Sequence, residues 1–325
     1  MTIKFSDITV VVQGPVQAYQ GRDQQTGITQ ICLDSIRTHL PGARIILSTW
    51  EGQDCTGLTP DLLLQHPDPG ANVVAYNAQG EAQKLNFNRQ IVSTREGLKR
   101  VQTPYAVKLR SDNFLTGNGF VAALAQFPAR CAPDIRFTEP VVVNTSYFRR
   151  YAEGQRVIMH PSDFFHFGRT EDLLKIWDLP LFEDRPFDPA QAGKAQYHGA
   201  PLTCPHAEQI YCDLWLRRLD DGFLPLAHRH QFSAGQAERW DRFMASNLRV
   251  LEPEQLGLGL IARFIPKTKR PNEMSHLDWL LLYRRYCDPA FPASAVKLFT
   301  SLGWRRLLKM PLSYLKFRLT LGKKA

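Results

Sequence analysis

The sequence predicts an α/β fold built on a mostly parallel sheet flanked by helices. Three observations carry that prediction. Short runs rich in β-branched or apolar residues recur at 8–12 (ITVVV), 43–49 (ARIILST) and 105–109 (YAVKL). Between them, residues 26–40 and 86–101 place their apolar residues at helical spacing. The links are short, and strands alternating with helices over short links make a parallel sheet with helices on its faces.

Taken in order, the first run ends at Gln13-Gly14-Pro15, so it reads as a buried strand closed by a turn. In 26–40, Ile28, Ile31, Leu33, Ile36 and Leu40 form an apolar face, and Pro41-Gly42 stops the helix. Residues 43–49 are the second strand, and 61–65 (DLLLQ) a short third. In 86–101, Ile91, Leu98 and Val101 share one helix face. The 105–109 strand then runs directly into Arg110-Ser111-Asp112-Asn113. Beyond 114 the pattern changes. It predicts a helix at 119–127, strands at 140–144 and 157–159, and a dense polar-aromatic segment at 160–168. A capped helix follows at 170–177, then a Pro/Asp/Gly-rich surface loop at 178–203 and an amphipathic helix at 206–219.

The last unit is a basic tail. Of the net charge of +9, residues 293–325 supply eight positive charges and no acid, which leaves the body nearly neutral. Leu308, Leu312, Leu315 and Leu319 follow helical spacing, while Arg305, Arg306, Lys309 and Lys316 lie on other faces. Pro311 is expected to kink or split that helix, because it cannot donate to the carbonyl four residues back. Trp304, Tyr314 and Phe317 add aromatics suited to a membrane interface. The tail therefore reads as a segment that lies on an anionic membrane surface. The competing reading is a helix docked on the core with its basic face solvated. A neutral body argues against nucleic acid as a partner.

Composition narrows the class further. A chain of 325 residues with 44% hydrophobic and 22% charged residues is that of an ordinary globular protein. No run approaches the ~18 apolar residues of a membrane span. The N-terminus leads straight into a strand and lacks the layout of a signal peptide, so a cytoplasmic location is expected. The six cysteines form no C-x-x-C pair; Cys204 and Cys212 flank His206 at a spacing unlike that of structural zinc. No Walker loop or full G-x-G-x-x-G occurs.

Three places hold residues fit for chemistry. The 105–109 strand delivers Lys108, Arg110, Ser111 and Asp112 to the carboxyl edge of the sheet, where open α/β sheets bind ligands. Asp112 is a candidate for a divalent cation, Mg²⁺ or Mn²⁺, while Arg110 and Lys108 suit direct contact with phosphate. The structural alternative is a turn with a local ion pair. Second, His160, Asp163 and His166 are interleaved with aromatics, which suits an acceptor-sugar platform, a metal ligand set or, more plainly, a core strand with satisfied histidines. Third, Glu208 opens a helix, where the dipole favours any carboxylate and a general base is the functional reading.

The blocks ITVVVQGPV, SIRTHLPGARIILSTWEG, NFNRQIVSTREGL, YAVKLRSDN and HPSDFFHFGRTEDLLKIW, in that order, resemble the WavE-type lipopolysaccharide-synthesis family. The likeness covers about 8–250, with the tail beyond about 290 outside it. It implies a glycosyltransferase with a GT-A-like, Rossmann-type nucleotide-binding domain over 1–250. Residues 1–113 would be its nucleotide half, 114–250 its acceptor half, and 251–325 a C-terminal helical extension. The donor, a nucleotide-sugar, would meet Gln13, Gly14 and Pro15, then Thr49, Trp50 and Glu51, with Arg89 in the matching NFNRQ block. Arg110-Ser111-Asp112-Asn113 stands where a D-x-D motif would hold metal, but Asp112 is its one acid, so a divalent cation is expected without being required. Asp163 and Glu208 are the matching candidates for the catalytic base, and His160 and His166 for acceptor contacts. The acceptor would be a lipopolysaccharide or capsular polysaccharide at the inner face of the cytoplasmic membrane. Two other readings stand beside this one: an alditol-phosphate transferase with a CDP-linked donor, and a non-catalytic scaffolding subunit.

Overall fold

The computed structural model describes residues 3–18, 24–76, 80–187, 205–265 and 269–322. The loop read at 178–203 and the cysteine at 204 fall largely outside these residues. The chain opens with β1 (Ile8–Gln13), α1 (Ile28–His39), β2 (Arg44–Trp50) and β3 (Leu62–His66). A hairpin of β4 (Asn72–Tyr76) and β5 (Ala82–Leu85) precedes α2 (Phe87–Leu98) and β6 (Tyr105–Arg110). Then come β7 (Asn113–Leu115), α3 (Gly119–Gln126), β8 (Val141–Asn144), the hairpin β9 (Tyr151–Ala152) and β10 (Gln155–Arg156), β11 (Phe165–Arg169) and α4 (Thr170–Trp177). The remainder is α5 (Ala207–Leu219), α6 (Ala234–Asn247), β12 (Leu248–Leu251), α7 (Pro253–Leu256), β13 (Leu258–Leu260), α8 (His276–Tyr286), α9 (Ala295–Leu298) and α10 (Trp304–Gly322).

Seven strands form the central sheet in the order β12-β8-β11-β6-β1-β2-β3. β1 pairs in parallel with both β2 and β6, β2 with β3, and β12 with β8. β11 alone runs antiparallel, wedged between β6 and β8. Alternate residues of each strand feed opposite helical layers. Val10, Val12, Val107 and Leu109 pack on Cys32, Leu33 and Ile36 of α1 and Phe120 of α3. Val11, Ala106 and Val143 pack on Ile91 and Leu98 of α2, Trp177 of α4 and Trp215 of α5. Burial on both faces is why the central strands are near-continuous apolar runs rather than alternating ones. α2 lies close on the sheet at Gly97, where an added Cβ would stand 2.4 Å from Val11 Cγ1.

Several expectations need correction. Residues 157–159 are buried but are not a strand; Met159 takes a left-handed backbone with φ 54°. Their apolar run fills the core as an irregular segment after the β9–β10 hairpin. The strand in this region is β11, as in the core-strand reading of the 160–168 segment, and its His166 is satisfied on both nitrogens. The helix at 170–177 starts without a side-chain cap, and Thr170 Oγ1 instead donates to the Thr103 carbonyl at 2.8 Å. Pro311 does not split α10, which continues through it. The irregularity lies upstream, in a π-helical turn at Phe299–Gly303.

α10 docks through a narrow face. The Arg306 guanidinium donates to both oxygens of buried Asp278 at 2.6 and 2.7 Å, and to the carbonyls of Pro271 and Glu273. Gly154, with φ +76°, lets the β9–β10 turn approach the α10 backbone at Met310 and Tyr314, where a Cβ would collide. Leu302 and Arg306 are buried on this side, while Leu308, Leu312, Leu315 and Leu319 face away and are exposed.

Candidate functional site

The carboxyl ends of β1, β2 and β6 open into one pocket. Its walls are Gln13, Gly14 and Pro15 after β1, Trp50 at the end of β2, Asn86, Arg89 and Gln90 at the start of α2, and Arg110, Ser111 and Asp112 after β6. Parallel pairing is what brings these ends level: Gln13 stands opposite both Ser48 and Arg110 in register. Gly14 is required here. Its φ is +122°, and an added Cβ would lie 2.9 Å from Ser111 Oγ. Ser111 closes the turn by donating Oγ–H to the Pro15 carbonyl at 2.6 Å and N–H to the Gln13 carbonyl at 2.9 Å. The pocket's floor is thus stitched from two strand ends far apart in sequence.

Charge in the pocket is concentrated in guanidiniums. Arg89 is buried, forks onto Asp68 at 2.6 and 2.7 Å, and lies 5.3 Å from the Trp50 ring centre. Arg110 forks onto Asp112 through Nε and Nη2 at 2.8 and 2.9 Å. Arg263, from the turn after β13, donates to the same carboxylate. Asp112 is only 1% exposed. Burial works against the Arg110 charge, yet Asp112 beside it raises its pKa.

A second, more apolar cavity adjoins the first. It is lined by Val143, Ser162, Asp163, His166, Trp177, Glu208 and Tyr211, among others. Gln90 belongs to the wall of the first pocket and donates its amide to the Asp163 carboxylate in the second. Lys108 is fully buried, donates to the Asp163 carbonyl and lies 4.7 Å from the Trp177 ring centre. Burial pushes its ammonium down to about 7. Burial would raise Asp163, but Lys108, Arg110 and the Gln90 amide hold its carboxyl below the usual range. Glu208 goes the other way: burial, and then the Asp163 charge, push it up to about 7.

The two histidines differ. His166 accepts from Trp177 Nε1 on Nδ1 at 2.9 Å, which makes Nε2 the donor to the Ser162 carbonyl at 3.0 Å. Burial and Lys108 hold its pKa to about 3, so it is a neutral wall residue with both nitrogens committed. His160 is buried 3.6 Å from Glu208, and its ring centre lies 5.1 Å from that of His206. Neither of its nitrogens has a hydrogen-bond partner among the described residues. Burial and Arg149 keep it neutral by depressing its pKa well below the ordinary value.

The structure thus gathers Gln13, Gly14, Pro15, Arg89, Arg110, Ser111 and Asp112 in one pocket, and Asp163, Glu208 and His166 in the next. Thr49 and Glu51 are not in the pocket wall: Thr49 is buried, and Glu51 is exposed just past the strand end. Lys108 lies behind the wall, at Asp163. Trp50, between Thr49 and Glu51, supplies the aromatic surface. Asn86, Gln90 and Arg263 were not singled out from sequence. The first two sit in a block that was, at the start of α2. Arg263 lies 151 residues from Asp112 with nothing in its neighbourhood to mark it.

A family model for WavE lipopolysaccharide synthesis matches residues 8–312. The chain belongs to the WavE family. Membership places it in lipopolysaccharide synthesis. The WavE match also corrects the extent of the likeness read from sequence. It does not stop near 250 but runs through Arg263, α8 and the first half of α10. Searching the curated proteins returned no match for this WavE chain.

Proposed function

We propose that this chain is a glycosyltransferase that moves a sugar from a nucleotide-sugar to a hydroxyl of a lipopolysaccharide acceptor. The observation that carries the reading is the pocket at the carboxyl ends of three parallel strands, with an aromatic wall and two arginines, joined through Gln90 to a cavity holding two carboxylates. Trp50, buried with Arg89 over its ring, gives the pocket an apolar wall toward a base, and the guanidiniums suit a diphosphate. In the transfer, the bond from the anomeric carbon to the diphosphate oxygen breaks and its electron pair leaves with the diphosphate. The acceptor oxygen forms the new bond and its proton passes to a carboxylate. Glu208 fits that task, since a base works best with a pKa near the operating pH. Asp163 stays ionised, raises Glu208 and anchors Lys108 and Gln90.

The C-terminal helix fits a membrane-bound acceptor. No helix among the described residues is long and apolar enough to cross one. α10, however, presents Leu308 (64% exposed), Leu312 (68%), Leu315 (57%) and Leu319 (59%) outward, beside Arg305, Lys309 and Lys316. Docking on the core is achieved by the opposite face, so the leucines have no role in the fold. A basic helix with outward leucines suits the surface of an anionic bilayer, where a lipid-linked acceptor sits.

The deciding experiment offers the protein UDP-, GDP-, dTDP-, CDP- and CMP-sugars, with thermal shift and nucleotide release as readouts. One donor class should bind, turn over and be lost in Arg110→Ala. A folded sample that binds none of them overturns the reading. A phosphodiester product would assign the pocket to an alditol-phosphate transferase instead.

A further inference from the structure

A metal-dependent transferase of the kind the D-x-D-like position implies needs a carboxylate with free lone pairs and a site of net negative charge. The residues here do not fit that need. Asp112 is the one acid of its motif, it is buried, and both of its oxygens accept from guanidiniums. Two arginines and one aspartate carry a net positive charge, which repels a divalent cation. Magnesium and manganese sites use one or two carboxylates together with phosphate and water oxygens. Opening Asp112 to such an ion would strand two buried or half-buried guanidiniums. Among the described residues no group of three His, Cys, Asp or Glu side chains converges on a point where a metal could sit.

We propose that the leaving diphosphate is neutralised by the guanidinium pair Arg110 and Arg263, held in place by Asp112, so that the donor binds and reacts without a divalent cation. This rests on the transferase reading above and names the charge that serves it. The fork to Asp112 uses the Nε and Nη2 edge of Arg110, which leaves its Nη1 edge directed away from the carboxylate. Arg110 is itself part of the pocket wall. Its guanidinium carbon lies 5.0 Å from the Phe164 ring centre and 5.5 Å from that of Phe264. Arg263 lies 4.8 Å from the same Phe264 ring. The aromatic faces and Asp112 together fix both planes before the donor arrives. Preorganised charge of this kind stabilises developing anionic charge without reorganisation, and planar forks suit phosphate oxygens better than a point charge does. Asp112 is accordingly a positioning residue, not a metal ligand.

The test measures binding of UDP, GDP, CDP and ADP by calorimetry, in EDTA and with added Mn²⁺, on the full chain. The nucleotide that binds should do so within about twofold of the same affinity in both buffers. Arg263→Ala should weaken it about tenfold or more, and Arg263→Lys should recover only part of the loss, since it restores charge without the fork. Circular dichroism melts of each variant show whether it is folded. Asp112→Asn should lower affinity in both buffers alike. Tight binding seen only with Mn²⁺, and lost in Asp112→Asn, would overturn the inference while leaving the transferase reading intact. No binding of any nucleotide in either buffer would overturn both.

Discussion

Glu208 and Asp163 line one cavity, yet their surroundings push their titrations apart. A pair of carboxyls separated in this way can share a site while one stays charged and the other exchanges a proton. Turnover should therefore rise with pH through about 7, the value to which burial and Asp163 push Glu208. Glu208→Gln should remove that limb and lower kcat by about 100-fold or more. A pH profile of kcat for both proteins checks this, and an unchanged profile in the variant would remove Glu208 from the role of base. Stability should respond in a matching sense. Because the folded protein binds this proton more tightly than the unfolded chain, the contribution is full below the ordinary value of 4.5 and is lost as pH rises through about 7. Glu208→Gln should flatten that part of the curve. At this scale the sequence named Asp163 from a dense motif, Glu208 from the first turn of a helix, and Asp112 and Arg110 from a strand end. It had no means of finding Arg263, whose partner is met only through folding, nor of separating His166, with both nitrogens bonded, from His160, with none.

Elements were legible where their period was clean. β1, α1, β2, β3, α2, β6, α3 and α4 all lie where hydrophobic spacing put them, to within a few residues. The run at 157–159 misled because apolar residues fill a core equally well from an irregular segment. β11 was legible only as one of two readings, a core strand with satisfied histidines, because His166 and Gly168 break its apolar pattern; both are accommodated by Trp177 and by the close approach of Leu173 and Val141. α2 is the element whose placement matters most, since its start lines the pocket and its end rests on the sheet at Gly97. Gly97→Ala would gain helix propensity of about 1 kcal/mol at best. It would also force a methyl to within 2.4 Å of Val11 Cγ1 and 3.2 Å of Ser48 Cβ. Overpacking of a core costs about 1–3 kcal/mol, so the variant should be less stable. A urea midpoint equal to or above that of the parent protein would refute the close packing of α2 on β1.

Across the whole molecule, the sheet positions the pocket and α10 orients the surface. The buried Arg306–Asp278 pair and the Gly154 turn hold the narrow face of α10 against the body, which turns the leucines outward as a set. Full-length protein should co-sediment with vesicles containing anionic phospholipid and much less with zwitterionic ones. Leu312→Glu combined with Leu315→Glu should abolish that binding without lowering the melting temperature, because both side chains are exposed. If the double variant instead turned a dimer into a monomer and the parent ignored vesicles, the leucine face would belong to a second copy of the chain.

The α/β class, the strand end that carries Arg110 and Asp112, the family likeness and the basic, leucine-spaced tail are all readable from the sequence. Each of these is written in local spacing or in short contiguous motifs, which a linear reading can detect. The rest emerges on folding: the antiparallel place of β11, the union of Gln13, Trp50, Arg89 and Arg110 in one pocket, the pairing of Arg263 with Asp112, and the outward turn of the leucines. These depend on contacts between residues tens to more than a hundred positions apart. Only the close packing of the folded chain, which buries charge until it finds a partner, selects them.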